Sequence, residues 1–282
     1  MKPIALNRTG VKKMIPHRQA DAHKGNFGRI LLLCGSRGYT GAAALAAMGA
    51  LRVGAGLVYL GVPECIYEIE AIKLTEPIIF PLCDYNGMLS DNAIDHISQM
   101  LPKMDCVLIG PGLGCSEGTL AVLSFVLQNY SGPVVVDADG INLLAMHKDL
   151  LRGRTSPTVI TPHEGEFKRL CDTLDKGRRK AAEDLAKELN LIVVLKGHQT
   201  VVTDSKTCYI NTTGNPGMSV GGSGDVLAGM ITGLIGQGLD PLKASAAAVW
   251  LHGAAGDACA RQLGQYGMLP SDMLNVLPRL MK

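Results

Sequence analysis

The stretch NPGMSVGGSGDVLAGM at residues 215–230 sets a run of glycines against one carboxylate, Asp225, just ahead of an apolar segment with helical spacing. A glycine-rich turn that opens a helix presents unpaired amides and the positive end of the helix dipole, a combination that binds phosphate. Gly222, Ser223 and Gly224 fit that geometry. A carboxylate in the same place repels an anion unless it performs chemistry on it. The chemistry that suits Asp225 is general base catalysis: it accepts the proton of a substrate hydroxyl attacking a phosphoryl group, while the amides of 222–224 stabilise the phosphoryl charge. The plainer alternatives are a helix-start acid complementing the dipole and a tight turn that needs positive φ. The pattern GxxxxGK[ST] is absent. Neither GPGLG at 110–114 nor GGSGD at 221–225 completes GxGxxG, so the classes that rest on those motifs lose support.

Other polar clusters follow apolar runs. Asp137 and Asp139, after Val134-Val135-Val136, suit water-mediated magnesium or a ribose, or else the turn before Gly140. His163, in TPHEGE at 161–166, stands at a strand-to-helix junction and reads as a substrate contact; no second ligand at i+4 supports zinc. Glu164 and Glu166 read as first-turn acids, with magnesium through water as the second reading. Lys196, followed by Gly197 and His198, closes a strand from which an ammonium reaches a nucleotide phosphate, or is a solvated strand end.

The elements that must position these residues alternate. Apolar runs at 30–34, 57–60, 106–109, 134–137, 159–161 and 192–195 predict parallel strands, and helical patterns fall at 42–53, 117–129, 164–172 and 176–189. Such alternation predicts a parallel sheet with helices on both faces. Strands at 200–203 and 207–210, with a turn at 204–206, predict a hairpin on the sheet edge. Two helices rich in Ala, Gly and Leu follow, at about 225–237 and 242–261. In open parallel sheets ligands bind beyond the carboxyl ends of the strands. Gly35-Ser36, the 110–114 loop, 137–140, 161–164 and 196–198 all fall there, which predicts one long crevice. No linker, repeat or low-complexity tract divides 1–282, so a single domain is expected.

At 282 residues, 47% hydrophobic and 18% charged, the chain can build a large core. A formal charge of +2 without a basic face argues against nucleic acid and anionic membranes as partners. Arg52 and several glycines interrupt the most apolar long window, 41–62, so no membrane span is expected. Eight cysteines without a CxxC pair read as reduced thiols, and the amino terminus has no signal-peptide core; both predict a cytoplasmic protein. The alanine-rich helices suit core packing or a homo-oligomer.

Taken in order along the chain, HKGNFG at 23–28, GSRGYTGAA at 35–43, ALRVGAGLV at 50–58, GPGLG, Asp137-Ala-Asp139, TPHEGE, KGHQT at 196–200 and residues 215–229 resemble the NAD(P)H-hydrate dehydratase family, a branch of the ribokinase-like superfamily. The glycine-Asp motif alone points only to the superfamily; GAA, GPGLG and TPHEGEF narrow it. The resemblance implies a ribokinase-like three-layer α/β/α fold with a mainly parallel central sheet. It implies an ADP-dependent (S)-NAD(P)H-hydrate dehydratase that returns the 6S hydrate of NADH or NADPH to the reduced cofactor, with ATP replacing ADP in some members and Mg²⁺ as helper ion. Carried over by position, Ala42, Gly112, His163 and Asp225 become hydrate contacts, with Asp225 as the base. Lys196, Gly197, His198, Gln199, Thr200 and Gly224 become the adenine nucleotide site. Asp137 and Glu166 are the magnesium candidates. A homotetramer and a separate epimerase acting on the R hydrate are further implications. Ser219-Val220 and Ser223 depart from the Ala-Thr and Thr of many relatives, though Ser223 keeps a hydroxyl. Two rivals share the glycine-Asp turn: a small-molecule kinase of the same superfamily, acting on a vitamin precursor or sugar, and a nucleotide-binding sensor without turnover.

Overall fold

Strands buried on both faces read as unbroken apolar runs, whereas strands shorter than a full period leave almost no pattern. Both kinds build the central sheet of this protein. The computed structural model describes residues 2–15 and 17–282. Its first half runs β1 (Ile4–Ala5), α1 (Arg8–Met14), β2 (Arg29–Leu33), α2 (Thr40–Arg52), β3 (Leu57–Pro63), α3 (Glu64–Lys73), β4 (Ile78–Leu82), the small hairpin β5 (Asp84–Tyr85) and β6 (Met88–Leu89), α4 (Ile94–Met100), β7 (Cys106–Ile109) and α5 (Glu117–Asn129). The second half runs β8 (Val134–Val136), α6 (Asp139–Met146), β9 (Thr158–Ile160), α7 (Glu164–Leu170), α8 (Arg178–Leu189), β10 (Ile192–Leu195), β11 (Val201–Thr203), β12 (Cys208–Ile210), α9 (Ser223–Gly236), α10 (Pro241–Gly267) and α11 (Pro270–Leu280).

Ten strands form one sheet in the order β1-β12-β11-β10-β9-β8-β7-β2-β3-β4. From β10 through β4 all neighbours are parallel; β11 is antiparallel to both β10 and β12. The chain order reverses between β2 and β7. That switch point is where an open α/β sheet leaves its crevice. Alternate residues of each strand face opposite layers: Ile30 and Leu32 pack with α2, α9 and α10, while Leu31 and Leu33 pack with α4 to α8.

The expected six parallel strands and six helices are present within a few residues of their expected bounds. Three differences have physical causes. The β11–β12 hairpin does not form the sheet edge, because Ile4–Ala5 adds outside β12 in parallel; a two-residue strand carries no readable period. Residues 64–100 supply α3, β4, the β5–β6 hairpin and α4, none of which was expected from the sequence; their mixed burial blurs the period. The last long helix runs on to Gly267, broken at Gly264, whose φ of 74° no helix accommodates. All eight cysteines are free thiols, as expected, and no helix among the described residues is long and apolar enough to cross a membrane.

The 221–225 turn leads into α9, and α9 is placed by α2. Their small residues bring the backbones together: a Cβ on Gly49 would sit 2.5 Å from the Val226 carbonyl oxygen, and one on Gly229 would strike the Ala46 carbonyl. Gly229→Ala should therefore lose more to overpacking, on the order of 2–3 kcal/mol, than the roughly 1 kcal/mol it gains in helix propensity. Urea unfolding checks this. Equal or raised stability would mean that α2 and α9 are not locked at this distance.

Candidate active site

The residues with chemical potential meet at the carboxyl ends of β10, β9, β8, β7 and β2, as the sequence predicts. Lys196 follows β10 and Asp137 follows β8. Lys196 Nζ lies 2.8 Å from Asp137 Oδ1 and 3.8 Å from Glu166 Oε2. Asp137, 1% exposed, also accepts a 2.6 Å hydrogen bond from Thr161 Oγ1. Glu166, 5% exposed, accepts the His163 amide at 2.8 Å. A buried carboxylate is costly unless paired, and each of these is paired. Burial pulls the Lys196 ammonium down, but Asp137 and Glu166 outweigh it, so the lysine ends above its ordinary value and stays charged.

The backbone between Asp137 and Asp139 is bent sharply. Ala138 adopts φ 48°, ψ −118°, a region alanine avoids. The bend lets Asp137 turn to Lys196 while Asp139 Oδ2 takes the Gly114 amide at 2.9 Å and so ties down the 110–114 loop. That loop is also held from β2, because Gly35 donates to the Pro111 carbonyl at 2.8 Å and Ser36 Oγ donates to the Gly112 carbonyl at 2.8 Å. Gly112 and Ala42 are brought together: a Cβ on Gly112 would lie 2.8 Å from that of Ala42 and 2.9 Å from that of Tyr39.

His163 caps α7, and its Nδ1 accepts the Gly165 and Glu166 amides at 2.9 and 3.2 Å. Its Nε2, 3.5 Å from Glu166 Oε1, lies on a half-exposed head. The nucleotide-type residues form a tight loop after β10, with Gly197 at φ +142°, Gln199 at φ 54° and Thr200 Oγ1 donating to the Gly197 carbonyl at 2.9 Å. His198 is exposed. Arg178, which sequence reasoning missed because it opens an amphipathic helix, clamps this loop. Its Nη2 reaches the Leu195 and Lys196 carbonyls at 3.1 and 3.0 Å, and its Nη1 pairs with Glu164 at 3.1 Å.

The 221–225 turn completes the site, with one of the three expected donors engaged inside the turn. Gly222 is the N-cap of α9 at φ 95°, but the Ser223 amide donates to the Val220 carbonyl at 3.3 Å. Among the described residues the Gly222, Gly224 and Asp225 amides have no protein acceptor, so two of the three expected donors are open and the Asp225 amide joins them. The Ser223 hydroxyl is buried 3.5 Å from His252 Nε2. A Cβ on Gly224 would lie 3.3 Å from Lys196 Nζ, which puts the ammonium beside these amides. Burial, then the charge of Asp137, push the Asp225 carboxyl up to about 6, with Lys196 holding it back. At neutral pH it is an ionised base, far more basic than a solvated aspartate.

Magnesium fits this arrangement only in part. The two carboxylates expected to serve it, Asp137 and Glu166, converge on Lys196, and among the described residues no three or more His, Cys, Asp or Glu side chains form a metal cage. A site ligated by the protein alone does not fit. An ion held mainly by phosphate oxygens and water does.

A carboxylate raised by burial weakens the fold when it ionises. Its cost appears between the unfolded pKa near 4 and the folded one near 6, and is complete above that. Asp225→Asn should therefore raise stability on the order of 1–3 kcal/mol at pH 7, with the gain shrinking as pH falls from 6 to 4. Thermal unfolding at several pH values reads this. A gain that does not vary with pH would mean that Asp225 is not desolvated.

The family described as NAD(P)H-hydrate dehydratase matches residues 30–279. The bifunctional NAD(P)H-hydrate repair enzyme of Moorella thermoacetica is 43% identical over 98% of this chain, which spans about half, 53%, of that relative. Among solved structures, a ribokinase-like superfamily protein from Enterococcus faecalis superposes with a TM-score of 0.88 at 29% identity, over 99% of this chain and 95% of that one. The ADP/ATP-dependent NAD(P)H-hydrate dehydratase of Bacillus subtilis, co-crystallised with ATP and Mg²⁺, gives 0.85 at 31% identity, over 99% and 98%.

Proposed function

The chain belongs to the NAD(P)H-hydrate dehydratase family, and from that premise we propose that it removes water from the 6S hydrate of NADH or NADPH at the cost of a phosphoanhydride bond of ADP or ATP. The observation that carries this reading is the basic Asp225 carboxylate beside unpartnered amides and the Lys196 ammonium. The hydrate hydroxyl attacks the terminal phosphorus of the nucleotide, Asp225 takes the hydroxyl proton, and the shortened nucleotide leaves. The Gly224 and Asp225 amides with Lys196 stabilise the charge that gathers on the phosphoryl oxygens. The carbon–oxygen bond of the phosphorylated ring then breaks, phosphate departs with the electron pair, and loss of a proton from the neighbouring carbon restores the dihydronicotinamide. Magnesium, if bound through the nucleotide phosphates, would supply further charge neutralisation.

The strand order supports a division of the crevice. Lys196 to Thr200 follow β10 and take the nucleotide, while Ala42 and Gly112 follow β2 and β7 and take the hydrate. Asp225 bears on both sides: its charge is felt by Lys196 after β10 and by the buried Cys34 thiol after β2, which burial first of all pushes up.

The deciding assay is recovery of dihydronicotinamide absorbance from the 6S hydrate with ADP and with ATP in parallel. Asp225→Asn should lower turnover by about 10²-fold or more while keeping nucleotide affinity. A stable phosphorylated product without absorbance recovery would show a kinase instead, and unchanged turnover in Asp225→Asn would remove the base from the mechanism. The pH profile gives a second check. Activity over free enzyme should fall as pH drops through about 6, and Lys196→Met should move that limb upward, because the ammonium holds the Asp225 carboxyl down. A limb that stays in place would separate Lys196 from the base.

A further inference from the structure

α10 meets the phosphoryl turn at two points. At the first, Asp257 accepts hydrogen bonds from the Gly214 amide and from Asn215 Nδ2, both at 3.0 Å. At the second, His252 sets Nε2 3.5 Å from the hydroxyl of Ser223, the first residue of α9. Between these anchors Ser219, Val220 and Gly221 are exposed, and Gly222 bends the chain at φ 95°. Gly217 and Met218 pack against α10, where a Cβ on Gly217 would meet the Gln265 carbonyl at 2.7 Å and one on Gly256 would strike the Met218 sulfur. Around Gly221 a Cβ would meet open space, so the exposed middle of the turn is held by its two ends. Anion-stabilising donors work only when held where the charge develops.

His252 has no part in the chemistry above. It is 7% exposed, in an otherwise apolar stretch of α10. Burial pulls the imidazole down to about 4, with a hydrogen bond to the Ser223 backbone only partly opposing, so the ring is neutral where the enzyme works. Burying a polar ring is costly unless it is hydrogen-bonded. The ring meets Ser223 at its hydroxyl and its backbone, while the Lys196 charge adds to the downward pull.

We propose that His252 is a positioning residue: through Ser223 it fixes the first turn of α9, so that the Gly224 and Asp225 amides and the Asp225 carboxylate stay aimed at one phosphoryl group, with Asp257 fixing the far end of the turn. The proposal rests on the phosphoryl-transfer reading of the site. Its test therefore has one readout that needs no turnover.

In the full chain, His252→Phe, His252→Gln, Ser223→Ala and the Ser223→Ala/His252→Gln double variant are compared for kcat, for KM of hydrate and of ADP, and for amide hydrogen exchange over residues 215–226. His252→Phe should lower kcat by about 10- to 100-fold with both KM values within about threefold, and should speed exchange over 215–226 but not over 30–33. His252→Gln, which keeps a hydrogen-bonding head, should recover most of kcat. The double variant should be no slower than the slower single variant, because both changes remove the same contact. Wild-type kcat and exchange in a folded His252→Phe, equal losses in Phe and Gln, or losses that multiply in the double variant would each overturn the proposal. Should His252→Phe fail to fold, Ser223→Ala decides: loss of kcat with faster exchange supports it, and neither sinks it. If the wild type turns over no hydrate, the assigned reaction is wrong and the exchange comparison alone judges the positioning role.

Discussion

One ammonium holds the site together. Lys196 is the shared counter-charge of Asp137 and Glu166, and it lies beside Gly224 at the start of α9. Those partners come from β8, α7 and α9, elements far apart in the chain that only the folded sheet brings side by side. Removing a charge from such a cluster leaves buried carboxylates without compensation, which costs far more than a surface ion pair contributes. The positions of Asp137, of the α7 cap and of the helix that carries Asp225 are thus mutually dependent. The same ammonium tunes the Asp225 carboxyl. Without it, the charges of Asp137, Asp139 and Glu166 would act on Asp225 unopposed, and the carboxyl would titrate higher still.

Much of this was legible in the sequence because it is local. The apolar runs that became β2, β7, β8, β9 and β10 are buried on both faces, so their pattern is continuous, and each is followed directly by its polar cluster. The glycines before Asp225 announced a helix start with open amides. That the middle donor would be taken up was not legible: the Ser223 amide closes a turn on Val220, a bond that depends on the conformation of Gly222 rather than on composition. Nor was the use of Asp137 and Glu166. Spacing shows two acids near a crevice, but only the packing shows that a lysine, rather than a metal, lies between them.

Arg178, His252 and Asp257 escaped for a common reason. Each acts through another residue and sits in a helix whose pattern already has a sufficient explanation. Arg178 begins a helix with charges on one side, and His252 lies among alanines that read as core. A histidine in such a stretch is most often a satisfied packing residue, and the sequence offers no sign of which helix end it will face. Its meaning depends on the distance from α10 to the start of α9, which is set by residues 213–218 packed between them.

That dependence explains why so much of the support for one turn is built from small residues. Gly49, Gly229 and Gly233 let α2 and α9 approach until backbone meets side-chain space, and Gly253 and Gly256 do the same where α10 meets Thr213 and Met218. Larger side chains would bury more apolar area, yet would push α9 outward by a fraction of an ångström to an ångström. A donor aimed at a developing charge loses its effect over such distances. The fold gives up hydrophobic burial along these contacts, and the free energy it forgoes is exchanged for a fixed distance between Lys196, the open amides at the start of α9 and Asp225.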